Sequence, residues 1–192
     1  MIKRAQYLQA QITCAHSRRG WRARLSYFMM EDAKIELALQ VAVTRLGFAE
    51  VKEKQKEAVV AFVSGKDVFV SLPTGYGKSC YMCLPFLLDA LSLKTDEALG
   101  VGAIIVVVTP LIAIMKEQSA MLTGKGVPAV HVVSSVDASA EVALLEGRFR
   151  VIFISPEQLL RRKRWRDMLR SEVYQKHLAA FVVDEAHCVK KW

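Results

Sequence analysis

Val68-Phe-Val-Ser-Leu-Pro-Thr-Gly-Tyr-Gly-Lys-Ser79, VFVSLPTGYGKS, decides how this 192-residue chain is read. A short apolar run leads straight into a turn with two glycines, then into Lys78, Ser79 and a segment with helical spacing. In such a strand-turn-helix setting, consecutive backbone N–H groups aim at a polyphosphate and the helix start adds positive potential. Gly75 and Gly77 permit φ > 0 and a close approach of backbone to phosphate. Lys78 offers an ammonium to the β and γ oxygens, and Ser79 a hydroxyl to Mg²⁺. The strict pattern G-x-x-x-x-G-K-[ST] fails at Leu72, so taken alone the stretch leaves a phosphate loop and an ordinary turn both open.

Outward from this stretch the chain alternates. Apolar runs at 68–72, 103–109, 129–133, 151–155 and 179–184 are separated by helix-like segments at about 78–92, 111–123, 137–146 and 166–177. Upstream, 31–46 and 54–63 have helical periodicity, with Gly47 and Gly65 where a helix would stop. Continuous Val/Ile-rich strands between amphipathic helices predict an α/β fold, a mainly parallel sheet with helices on both faces. Ligands in such folds bind beyond the carboxyl ends of the strands.

A second motif stands at such an end. Asp184-Glu185-Ala186-His187 directly follows AAFVV, so Asp184 is placed to hold Mg²⁺ through water and Glu185 to orient and deprotonate an attacking water. An acidic turn is the plain alternative, but a phosphate loop and a DEAH, each at a strand end, reinforce one another.

With both motifs in view the chain resembles superfamily 2 helicases, in whose motif I Pro73-Thr74-Gly75 stands in place of the early glycine. It is similar in particular to the RecQ family of ATP-dependent DNA helicases. Gly47-Phe48, Lys52 and Gln55 resemble the adenine-recognition element of that family, with Lys52 where Arg is usual and Val51 where Phe is usual. Thr109-Pro110-Leu111 with Lys116 and Gln118 looks like motif Ia, and Ser155-Pro156-Glu157 like motif Ib; the resemblance implies contacts to single-stranded DNA. DEAH continuing to Trp192 looks like the start of the aromatic-rich loop that couples DNA to ATP hydrolysis. His187, within DEAH, is implied to contact the γ-phosphate or an opposing lobe, and the ring of Tyr76 to cover the phosphates.

The implied fold is a RecA-like ATP-binding lobe over residues 31–192, and the implied cofactors are ATP and Mg²⁺. The expected partners are single-stranded DNA and duplex junctions, in a 3′-5′ unwinding reaction. The pattern breaks off after motif II, and the second RecA-like lobe with its arginine finger is missing from this chain. Since that arginine stabilises charge in the transition state, the isolated lobe is expected to be inactive alone. The alternative is a non-catalytic truncated module that binds ATP or single-stranded DNA; another phosphate-loop NTPase is a third reading.

Composition sets outer bounds. With 53% hydrophobic residues the chain has material for one sizeable core. Its longest clean apolar run, AIIVVV at 103–108, has the length of a buried strand, not of a membrane span. Four cysteines make no disulfide framework and point to a reducing, intracellular compartment, the nucleus if the family resemblance applies to a eukaryotic protein.

The formal charge of +8 is unevenly spread. Residues 1–30 hold six basic and no acidic residues, leaving 21 basic against 19 acidic, a net +2, for the rest. This basic N-terminal extension is expected to be poorly ordered; mitochondrial targeting is the alternative use of such a composition. RRKRWR at 161–166 is either a solvated helix start or a phosphate-contacting patch. Cys80 and Cys83 form a C-x-x-C inside a helix with no second pair, which favours packing over zinc, and His131 in an apolar strand is expected to be a satisfied core residue. His16 and Cys14 are an isolated pair that suggests no metal site.

Overall fold

A computed structural model describes residues 7–14, 32–73, 76–91, 102–134 and 136–191, with the backbone alone at 7–14, 32–33, 78, 80 and 189–191. Among the described residues six strands make one sheet: β1 (Tyr7–Cys14), β2 (Val68–Pro73), β3 (Ile104–Val108), β4 (Ala129–Val132), β5 (Val151–Ile154) and β6 (Leu178–Val183), in the spatial order β2-β1-β6-β3-β5-β4. β6, β3, β5 and β4 are parallel, and β1 is antiparallel to both β2 and β6, so β2 runs with the parallel set. The expected α/β fold is therefore present, with one reversed strand.

That strand corrects one expectation. Residues 7–14 lie in the stretch expected to be poorly ordered, yet they pair with β2 from Tyr7↔Pro73 to Ile12↔Val68 and with β6 from Gln11↔Val183 to Cys14↔Ala180. The sequence YLQAQITC alternates apolar and polar residues with period two, the pattern of a strand, and contains no charge. The Arg-rich character that suggested a solvated extension belongs to the flanks. His16 lies outside the described residues, as does the Cys14 side chain.

The helices are α1 (Asp32–Leu46), α2 (Glu53–Val63), α3 (Leu84–Ala90), α4 (Ile112–Gly124), α5 (Ala138–Leu145), α6 (Pro156–Arg161), α7 (Lys163–Arg170) and α8 (Glu172–His177), with 3₁₀ turns at Lys78–Cys83 and Ala186–Lys191. α1 ends at Gly47, whose φ of 78° is the left-handed conformation that glycine adopts without penalty. The long helix expected over 78–92 is a tight 3₁₀ turn followed by α3. Pro85 sits at the helix start, where its absent N–H costs nothing. The helix expected over 166–177 begins earlier and is divided at Arg162 and Ser171, both of extended backbone.

Side chains of one strand point alternately to the two faces, and that alternation separates two cores. Ile105, Val107, Val151, Phe153 and Val182 pack with α1, α2 and α3 on one face. Ile104, Val106, Val108, Ile152 and Ile154 pack on the other face with Leu144 of α5, Trp165 and Met168 of α7, and Tyr174 of α8. All five residues of β3 are buried because it has a neighbouring strand on each side and helices on both faces. Arg150 clamps the base of the sheet: its Nε donates to the Ala103 carbonyl at 2.9 Å, and its guanidinium pairs with Asp89 of α3 at 3.0 Å. Asp137 caps α5, and hydrogen bonds from the Ser139 hydroxyl and the Ala140 N–H hold its carboxyl below the usual range. Among the described residues no helix is long and apolar enough to cross a membrane.

Candidate nucleotide site

Between the end of α1, the start of α2 and the turn after β2 lies a cavity of about 360 Å³. Leu39 and Val43 of α1, Val51, Val59 and Cys83 give it apolar walls, while Lys52, Gln55 and Ser79 supply polar groups. Phe48, 40% exposed, stands at its rim together with Tyr76 and Gly77. A mostly apolar recess with a few convergent polar groups has the build of a small-molecule site, and its volume falls within the range for one.

Gln55 joins the two halves of this site. Its Oε1 accepts the Lys52 N–H at 2.8 Å, one half of a capping box that starts α2. Its Nε2 donates to the Gly77 carbonyl and to that of Tyr76 at 3.3 Å. Gly77 has φ 89°, and a Cβ built there would lie 2.5 Å from Gln55 Nε2. The backbone conformation thus favours glycine at this position, and a side chain there would also displace the Gln55 amide. Above them Lys52 Nζ lies 4.7 Å from the centre of the Tyr76 ring, a cation–π contact. Pro73 ends β2 and is exposed. Thr74 and Gly75 lie outside the described residues, as does the side chain of Lys78.

Deeper in, Ser79 is tied to a buried pair that sequence reading did not connect to it. Tyr81, 1% exposed, donates its hydroxyl to Gln118 Oε1 at 2.9 Å, and Gln118 Nε2 donates to Ser79 Oγ at 3.3 Å. Gln118, expected on the nucleic-acid side, is 8% exposed and turned into the nucleotide side. The helical spacing of α4 contained part of the signal: Met115, Gln118, Ser119 and Leu122 share its buried face, and a Gln on such a face needs polar partners.

The DEAH segment occupies the carboxyl end of β6. Asp184 and Glu185 are each 8% exposed; the Asp184 N–H donates to Val108 O at 2.8 Å, and Asp184 Oδ1 accepts the Glu185 N–H at 3.0 Å. Glu185 is the one non-glycine with positive φ, 54°, among the described residues. Backbone held in a sparsely populated region marks a site where the surroundings over-determine the conformation. His187 is exposed; its Nδ1 lies 3.2 Å from Glu185 Oε2 and its Nε2 3.3 Å from Cys188 Sγ. β2 and β6 end at the same side of the sheet with β1 between them. Gln11 stands opposite both Phe69 and Val183, so β2 continues past that level to Pro73 while β6 turns into Asp184.

The residues expected to contact nucleic acid divide by exposure. Leu111, Lys116 and Glu157 are exposed and Pro110 is partly so, whereas Thr109, Ser155 and Pro156 are buried. Thr109 donates its N–H to Ile154 O at 3.2 Å, and Ser155 caps α6 by accepting the Gln158 N–H at 3.3 Å. Trp192 lies outside the described residues. In the RRKRWR run, Lys163 pairs with Asp167 at 2.6 Å, Arg164 pairs with Glu141 and stacks on Trp165, and Arg166 donates to the Leu159 and Leu160 carbonyls; Arg161 and Arg162 are exposed. His131 Nδ1 pairs with Ser119 Oγ at 3.0 Å, and Cys83 is buried in the core.

A glycine turn between strand and helix, an acidic pair at the end of β6 two strands away and an apolar recess beside the turn together make a candidate nucleotide site. The sequence profile of the DEAD/DEAH box helicases matches residues 52–192, and the chain belongs to that family. Within it the similarity runs to helicases of the RecQ kind. The chain is 36% identical over 149 residues to the ATP-dependent helicase wrn-1 of Caenorhabditis elegans, 76% of this chain and 13% of that protein. It is 33% identical to the ATP-dependent helicase SGS1 of Saccharomyces cerevisiae, over 73% of this chain and 10% of that one. Against the ATP-dependent DNA helicase RecQ of Haemophilus influenzae it is 29% identical, over 81% of this chain and 23% of that one. The chain thus spans about a tenth to a quarter of the length of these relatives.

Proposed function

We propose that this chain is the ATP-binding motor lobe of a RecQ-type DNA helicase, which works with a second lobe to couple ATP hydrolysis to 3′-5′ movement along single-stranded DNA and duplex unwinding. The observation that carries this reading is the cavity in which Phe48, Lys52 and Gln55 meet Tyr76, Gly77 and Ser79. Its apolar walls suit a purine ring, and the polar edge of Gln55 is already tied to the phosphate-loop backbone. The relatives' printed names, ATP-dependent helicase and ATP-dependent DNA helicase, support the same reaction class.

In this reading Phe48 and Tyr76 flank the base and its phosphates, and Lys52 and Gln55 contact the base edge. Pro73, Thr74, Gly75 and Gly77 shape the loop, while Lys78 neutralises the β and γ oxygens. Ser79 and Asp184 fit Mg²⁺: one offers a hydroxyl and the other a carboxylate, the hard oxygen donors this ion takes. The ion would neutralise charge building on the transferred phosphoryl group. Glu185 orients the attacking water and accepts its proton, with the ring Nδ1 of His187 3.2 Å from its carboxylate. On the DNA side Pro110, Leu111, Lys116 and Glu157 form the surface, with Thr109, Ser155 and Pro156 shaping it from below; the family resemblance assigns Trp192 to DNA contact as well. The isolated lobe hydrolyses ATP negligibly, because charge on the γ-phosphoryl is stabilised by arginine from the partner lobe. A eukaryotic protein of this kind acts in the nucleus.

Binding of a fluorescent ATP analogue in Mg²⁺ by the purified chain tests the reading. Saturable binding that is lost in Lys78→Ala is the expected result, together with weak single-stranded DNA binding that falls steeply with salt. A folded chain that binds no nucleotide would overturn it.

A further inference from the structure

Ser79 is a second point, beside the Gln55 contact, at which the glycine turn meets the rest of the lobe. Its hydroxyl oxygen has two lone pairs. One accepts the hydrogen bond from Gln118 Nε2 at 3.3 Å, which leaves the other for a cation. Gln118 cannot turn freely, since its Oε1 is held at 2.9 Å by the hydroxyl of the buried Tyr81. Tyr81 lies in the same 3₁₀ turn as Ser79, while Gln118 comes from α4, on the far side of β3 in the sequence. The amide therefore bridges two separate elements and fixes the direction in which the Ser79 oxygen points.

We propose that Gln118, anchored by Tyr81, is a positioning residue that orients the Ser79 hydroxyl to receive Mg²⁺ with the bound nucleotide. This deepens the nucleotide reading above and rests on it. Ser79 is partly exposed at the cavity while Gln118 and Tyr81 are buried, so the anchor sits in a dry, rigid layer and the ligand at its edge. Groups behind a metal ligand that hold its orientation typically account for ten- to a hundredfold in metal affinity. Gln118 does not touch nucleotide in this scheme; its effect passes through one oxygen.

The test is a Mg²⁺ titration of fluorescent-ATP binding by the full chain, with a parallel measurement in EDTA. Gln118→Met keeps the side-chain length but offers no hydrogen bond, and the double variant Gln118→Met/Tyr81→Phe also removes the hydroxyl that the first change strands. Both are expected to raise the Mg²⁺ concentration for half-saturation about tenfold, with EDTA affinity within about twofold of wild type. Tyr81→Phe alone gives a smaller rise in the same direction. In a Ser79→Ala background Gln118→Met has no further effect. Far-UV circular dichroism of each variant establishes that the lobe is folded, and the double variant serves if the single one is not.

An equal loss with and without Mg²⁺, or an effect that persists in Ser79→Ala, would overturn the proposal. Wild-type binding that is indifferent to Mg²⁺ would sink it too, yet leave the phosphate cradle standing. Wild-type protein that binds nucleotide under neither condition would instead bring down the nucleotide reading itself, and this proposal with it.

Discussion

The two motif-bearing strands, β2 and β6, are held in very different ways. β6 lies inside the sheet between β1 and β3, with Ala180 and Val182 fully buried. β2 stands at the edge and, among the described residues, hydrogen-bonds to β1 alone; its burial alternates, and Phe69 is 58% exposed. The acidic pair is thus presented by a strand paired on both sides, and the glycine turn by an edge strand. An edge placement suits a loop that must adapt its backbone to a phosphate chain, since strands with few partners open at lower cost. Gln55 and the Gln118–Tyr81 pair then supply from the side the anchoring that the sheet does not.

Deleting residues 1–14 is the largest perturbation of this contrast. Without β1 the link between β2 and β6 is gone, and the lobe loses on the order of 3 kcal/mol or more at net hydrogen-bond values of about 0.5–1 kcal/mol each. Hydrogen exchange reads this residue by residue: amides of Val68–Leu72 lose protection while those of Ile104–Val108 keep theirs. Unchanged protection in β2 would show that β1 does not hold it.

A sharper comparison places one truncation in each strand. Val182→Ala in β6 removes fully buried methyl groups and lowers unfolding stability by about 2 kcal/mol. Phe69→Ala in β2, at a site 58% exposed, changes it by less than about 0.5 kcal/mol. Urea unfolding of both decides the point, and equal losses would erase the distinction. Between these two falls Ser155→Ala, which removes the cap of α6 at the end of β5 and costs about 1 kcal/mol by thermal unfolding. A neutral result there would mean that the Gln158 N–H finds another acceptor.

The strands of the family-matched region were legible to within a few residues, because Val/Ile runs act locally, whereas the helical stretch from Pro156 to Arg170 was read as starting ten residues too late. β1 escaped notice because its alternation is short and flanked by arginines, which dominated the charge count. The expected helix at 78–92 became a 3₁₀ turn followed by α3, a distinction of hydrogen-bond register that composition does not encode. The role of Gln118 was legible only in part: its position showed a buried face, but the partner across 39 residues did not follow from spacing.

By itself the sequence determined the α/β class, the two strand-end motifs and the glycines, since hydrophobic period, chain reversal and backbone freedom are properties of neighbouring residues. Tertiary structure alone decided that residues 7–14 enter the sheet between β2 and β6, that α1 contributes Leu39 and Val43 to the nucleotide cavity, and that α4 reaches Ser79 through Gln118. Those outcomes depend on which surfaces meet when the apolar faces are buried, and that is settled by packing of the whole chain.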